Sequence, residues 1–127
     1  MAEQLTIRVD LLMRTMSESN LRGHWTRHHK RHQNQRGGAC LLTRIACITE
    51  RRRRGKPELV VMCRVAPRLL DAGNVAAALK HVQDGVADGL EVNDGDRAIR
   101  WVYEQRQGPY AVEVDITWAA EVSSGLT

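Results

Sequence analysis

At 127 residues, with 43% hydrophobic and 27% charged residues, the chain is sized for one domain spanning residues 1–127, small enough that self-association would help it. No apolar run approaches the ~20 residues of a membrane span, and the opening MAEQLTIRVD is no secretory signal, so the expectation is a soluble, cytoplasmic protein. Three cysteines, Cys40, Cys47 and Cys63, form no C-x-x-C and read as small buried thiols, not as a disulfide or zinc framework.

The first element is a strand over residues 5–11. Leu5, Ile7, Val9 and Leu11 alternate with Thr6, Arg8 and Asp10, the period of a half-buried strand. Ser17–Asn20 is a polar connection. A helix follows, starting between Gly23 and Arg27 and running to about Ile48, polar in its first half and apolar in its second. Gly37-Gly38 falls between the halves and costs about 1 kcal/mol per glycine relative to alanine, which predicts a kink or a break. Arg51–Arg54, with Gly55 and Pro57 behind them, read as an exposed basic loop.

Residues 58–66 (ELVVMCRVA) are rich in β-branched side chains and predict a central strand closed by Pro67. Over 74–90, Val75, Leu79, Val82, Val86 and Leu90 fall on one helical face, and Lys80, Asp84, Asp88 and Glu91 point the opposite way; Asn74 is a plausible N-cap. Asn93–Asp96 is turn chemistry. Residues 98–105 and 110–118 both alternate, and the Gly108-Pro109 step between them reads as a hairpin. The order β-α-β-α-β-β predicts an α/β (α+β-like) fold, a mixed sheet with both helices on one face. The last seven residues read as a frayed tail.

Charge is segregated along this chain. From Asn20 to Lys56 there are eleven Arg or Lys and one acid, Glu50, whereas residues 69–96 hold six of the fifteen acids and one lysine, Lys80. A basic stripe is the footprint of a polyanion partner. Carboxylates near a lysine suit Mg²⁺ or Mn²⁺ at a scissile phosphate. Asp71 after the second strand, and Asp94 and Asp96 before the third, are expected to meet near one end of the sheet with Lys80 between them.

At LLDAGN, at Lys80 with VQDGVADGL, and at VNDGD, the chain resembles the RusA-type Holliday-junction resolvases, with a looser likeness over the basic helix and the last two strands. The resemblance implies an α/β fold, a homodimer, and divalent-metal-dependent nicking of branched four-way DNA. No small-molecule cofactor is implied. It carries the family's catalytic aspartates over to Asp71 and Asp94 and its lysine to Lys80. Two motif carboxylates are replaced, by Gly73 and Asn93, and Asp96 is the candidate to restore a ligand.

Each assignment has a plainer competitor. Asp71 can cap a helix, Asp94 and Asp96 can serve a turn, and Lys80–Asp84 can be a surface ion pair, the role favoured for Asp84. The phosphate contacts are assigned to Arg27, Lys30, Arg31 and Arg36, with Arg51, Arg52, Arg53 and Arg54 as a second patch. His24, His28 and His32 read as a polar face near DNA, Trp25 as core before base stacking, and Trp101 and Trp118 as core or dimer interface. Against the nuclease stand a junction- or DNA-binding relative without catalysis, and a protein-interaction factor that uses the basic arm.

Overall fold

The computed structural model describes residues 4–15 and 25–120, with side chains from residue 30 onward in the helix that opens at residue 25. The expected order is observed: β1 (Leu5–Leu11), α1 (Trp25–Arg54), β2 (Leu59–Ala66), α2 (Ala72–Leu90), β3 (Arg100–Gln107) and β4 (Ala111–Trp118). The strands form one mixed sheet in the order β1-β4-β2-β3. β2 runs parallel to β3 and antiparallel to β4, which is itself antiparallel to β1. Strand alternation sends Val9 and Leu11, Val60 and Met62, and Val112, Val114 and Ile116 into the core with the apolar stripe of α2. The other face carries Arg8, Glu113, Asp115 and Arg106, joined by ion pairs.

Three expectations are corrected. First, β3 and β4 do not form a hairpin; they flank β2. Residues 108–110 cross the end of β2, a span of roughly two strand spacings, about 10 Å. The Gly108 N–H bonds to the Ala66 carbonyl at 3.0 Å, and a side chain there would start 2.8 Å from Val65 Cγ1. Glycine is demanded by that close crossing, and alternation alone cannot tell it from a hairpin turn.

Second, α1 neither breaks at Gly37-Gly38 nor ends at Ile48. It continues for 30 residues, so Arg51–Arg54 are its last turn. Packing outweighs propensity here. Gln35, Ala39, Thr43 and Cys47, four apart, are buried, and Ala39 and Thr43 pack on α2 where Gly85 and Gly89 let the two backbones approach. A Cβ on Gly85 would collide with the Arg36 carbonyl, and one on Gly89 would stand 2.7 Å from the Cys40 carbonyl. The helix stops at Gly55, whose φ of 82° takes the chain out of helical geometry.

Third, the N-cap of α2 is Asp71 and not Asn74, and its carboxylate makes no capping hydrogen bond. Elsewhere Trp118 is core, its indole N–H donating to the Gly55 carbonyl at 3.0 Å, and Trp101 packs half-buried against the same cluster. Cys47 is buried, which pushes its thiol up to about 11, while Cys40 and Cys63 are half-buried. Among the described residues no helix is long and apolar enough to cross a membrane. The Ser17–Asn20 connection, His24, the side chains of Trp25, Arg27 and His28, and the C-terminal tail from residue 121 lie outside the described part.

Candidate nucleic-acid interface and the acidic cleft

The expected meeting of Asp71 with Asp94 and Asp96 does not occur within one chain. β2 and β3 are parallel, so Asp71, past the end of β2, and Asp94 and Asp96, ahead of β3, belong to opposite ends of the sheet. α2 lies between them, and its 19 residues at about 1.5 Å each span ~28 Å. The turn before β3 folds back only part of that distance. A βαβ crossover separates these positions by construction, a consequence of topology that residue order along the chain does not display.

Lys80 and Asp94 do come together. The chain leaves α2 through Glu91 in the left-handed conformation (φ 56°), and Val92 N–H returns to the Ala87 carbonyl at 3.0 Å. This reversal brings Asp94 Oδ2 to 3.3 Å from Lys80 Nζ, which also meets Asp84 Oδ1 at 3.1 Å. The Lys80 ammonium is held protonated above its ordinary range, first by Asp84 and then by Asp94. Asp84, Asp88, Glu91, Asn93, Asp94 and Arg36 line an open cleft of about 430 Å³. Asp84, expected to serve only a surface ion pair, lines this cleft, and its i+4 spacing from Lys80 is the readable sign that the two side chains meet.

Asp96 is committed elsewhere. Its carboxylate takes a hydrogen bond from Lys56 Nζ at 2.6 Å and another from the Ala98 N–H at 2.9 Å. Those two bonds, Lys56 first, hold it below the usual aspartate range. Asn93 Oδ1 accepts the Gly95 N–H at 2.8 Å, an Asx turn. The residues therefore do not fit a divalent metal in the manner expected: Asp71 is remote, and Asp94 and Asp96 each bind a different lysine. Among the described residues no group of three or more His, Cys, Asp or Glu is placed to hold one.

The cations divide into engaged and available ones. Arg36 grips both oxygens of Asp88, at 2.7 and 3.2 Å. Arg51 Nε donates to the Leu90 carbonyl at 2.8 Å, closing the C-terminus of α2. Arg54 pairs with Glu50 at 3.0 Å and its side chain is only 10% exposed. Arg31 is half-buried beside His32, which stacks on His81 of α2 with ring centroids 3.8 Å apart. Lys30, Arg52 and Arg53 are exposed, as are Arg44 and Arg97, which the sequence reading passed over. Lys30, Arg44 and Arg52 fall within about 100° of one another around α1 at 3.6 residues per turn, opposite the face that meets α2. That spacing was legible for Arg44; Arg97 gives no such signal. Leu41 and Ile45, 59% and 69% exposed, share the outward face. Comparison with protein-family models and with curated proteins finds no match to this chain.

Proposed function

We propose that the protein binds nucleic acid through the outward face of α1 and the arginines at and beyond its end, gripping phosphates without cutting them. The observation that carries this reading is the continuity of α1: 30 unbroken residues, ~45 Å long, presenting Lys30, Arg44, Arg52 and Arg53 to solvent. Cations on a rigid rod match the regular spacing of a phosphate backbone, and such contacts position the protein without reading bases. Exposed cations already tied to carboxylates, such as Arg36, add less.

A second reading, the metal-dependent junction nuclease, keeps one observation in its favour: Lys80 stands against Asp94, which lines a cleft together with Asp84 and Asp88. A single assay separates the two. Wild-type protein is mixed with a labelled four-way junction and with linear duplex, with and without Mn²⁺. Binding that weakens with salt and leaves every strand intact supports the binding protein. Nicking that requires Mn²⁺ and disappears in Asp94→Asn while binding persists selects the nuclease. Asp71→Asn is expected to leave binding unchanged. No salt-dependent binding to either DNA removes both readings in favour of a protein partner for the basic arm.

A further inference from the structure

α1 carries two apolar faces, and among the described residues only one of them is covered. Gln35, Ala39, Thr43 and Cys47 are buried along the first. About 130° around the helix, at 3.6 residues per turn, run Gly38, Leu41, Leu42 and Ile45. Their i, i+3, i+4, i+7 spacing is that of a stripe made to meet a neighbouring element, yet Leu41, Leu42 and Ile45 are 59%, 42% and 69% exposed. Leucine and isoleucine offer nothing to a phosphate, so a grip on nucleic acid leaves this stripe unexplained.

Beside the stripe lies a groove of about 420 Å³, walled by Leu12 and Met13 on one side and by Gly38 and Leu42 on the other. The Leu12–Met13 wall is anchored. Gln35 Nε2 donates to the Arg14 carbonyl at 3.0 Å, and the buried Arg64 donates through Nε to Thr15 Oγ1 at 3.0 Å. Leu12, 88% exposed, extends the apolar surface beyond the groove. Gly38 keeps the groove open: a Cβ there would stand 3.9 Å from Met13 Cε, an ordinary contact, and a longer side chain would fill the space. Apolar side chains gathered around a groove mark an interaction site, which singly scattered leucines do not.

The charged residues lining this groove are Arg14 and Arg31, and no carboxylate lines it. Arg14 is steadied over the Tyr110 ring, 5.0 Å from its centroid, and Lys30 and Arg44 are exposed on the same helix as the stripe. We propose that this surface receives an acidic amphipathic helix of another protein, its apolar residues entering the groove and lying along the stripe, its carboxylates facing the cations around them. From Gly38 to Ile45 the stripe is about 10 Å long, two turns of such a helix, and helix-in-groove recognition uses anchors at this same spacing. A second copy of the chain does not fit this face. Two α1 helices paired antiparallel about the middle of the stripe would set Lys30 against Arg53 and Arg31 against Arg52. A lipid surface fits less well than a helix, because it takes up protruding apolar side chains and leaves a groove unfilled.

The test is fluorescence anisotropy with a labelled synthetic helix of about 18 residues, long enough to be partly folded alone, with leucines in the i, i+3, i+4, i+7 pattern and glutamates around them. One control shuffles the same residues so that no leucine face forms, and a second replaces the glutamates by lysines. No nucleic acid is present, so the outcome is independent of the phosphate-binding reading. Wild type is expected to bind the glutamate helix at least about tenfold more tightly than either control. Gly38→Leu, which fills the groove, and Leu42→Glu/Ile45→Glu, which repels an acidic ligand, are each expected to weaken binding at least about tenfold. Circular dichroism verifies folding, and the second variant alters only exposed side chains, leaving the core untouched. Wild type that binds the shuffled or the lysine helix as well as the glutamate helix, or a folded variant that binds like wild type, would overturn the proposal. Binding to phosphatidylserine vesicles without binding to the glutamate helix would also overturn it, assigning the surface to lipid.

Discussion

The two ends of α2 carry similar residues and use them differently. At its start, Gly73 has open space where a Cβ would stand and Asp71 occupies the cap position without a capping hydrogen bond from its carboxylate. At its far end, Gly85 and Gly89 are pressed against the backbone of α1, Arg51 closes the last carbonyls, and Asp94 and Asp84 share Lys80. The comparison teaches that an acid or a glycine in this stretch has no fixed meaning. The partner supplied by the fold decides it, and the partners are concentrated at the far end.

The sharpest way to break that contrast is to add one methyl group at each end. Gly85→Ala is expected to push the helices apart and cost about 2–3 kcal/mol, lowering Tm by roughly 10 °C in a thermal melt. Gly73→Ala is expected to be neutral or to gain up to about 1 kcal/mol, because alanine is the better helix former and nothing opposes its Cβ. Equal effects at both positions would refute the close approach of α1 and α2.

Next in size, Arg51→Ala is expected to cost about 1–2 kcal/mol in urea unfolding, since it strips a charged donor from the buried end of α2. Arg52→Ala, one residue away and exposed, is expected to change stability by less than about 0.5 kcal/mol. The pair separates structural arginines from available ones within a run that reads as uniform in sequence.

The smallest effect is acid lability. Asp96 beside Lys56 and Glu113 beside Arg106 are both held below the usual carboxylate range. A depressed folded-state pKa gives stability that is present above the unfolded value and is lost as pH falls through the folded one. Unfolding free energy is therefore expected to fall below about pH 4, with a shallower slope in Asp96→Asn/Glu113→Gln. An unchanged slope would mean that these pairs contribute nothing to folding.

Much of the fold was legible because it is written in periods. β1, β2 and α2 announce themselves by alternation or by the Val75-Leu79-Val82-Val86-Leu90 stripe, and the element order follows. What was not legible depends on contacts distant in sequence. Gly37-Gly38 looks like a break until the long buried seam against α2 is known. Gly108-Pro109 looks like a hairpin until β2 is seen to lie between β3 and β4. The candidate site suffered most, because Asp71, Lys80 and Asp94 are close in sequence while a parallel crossover holds the first away from the other two. Arg36 and Arg51 looked available because their partners, Asp88 and the Leu90 carbonyl, lie 52 and 39 residues away.

The most direct test of the central reading is the salt dependence of duplex binding by wild type and by Arg44→Ala/Arg52→Ala/Arg53→Ala. If these arginines hold phosphates, the slope of log K against log salt should fall by nearly one for each arginine removed, about 2–3 for the triple variant, with uniformly weaker binding across sequences. An unchanged slope, with affinity equal to wild type, would contradict the assignment of α1 as the nucleic-acid surface.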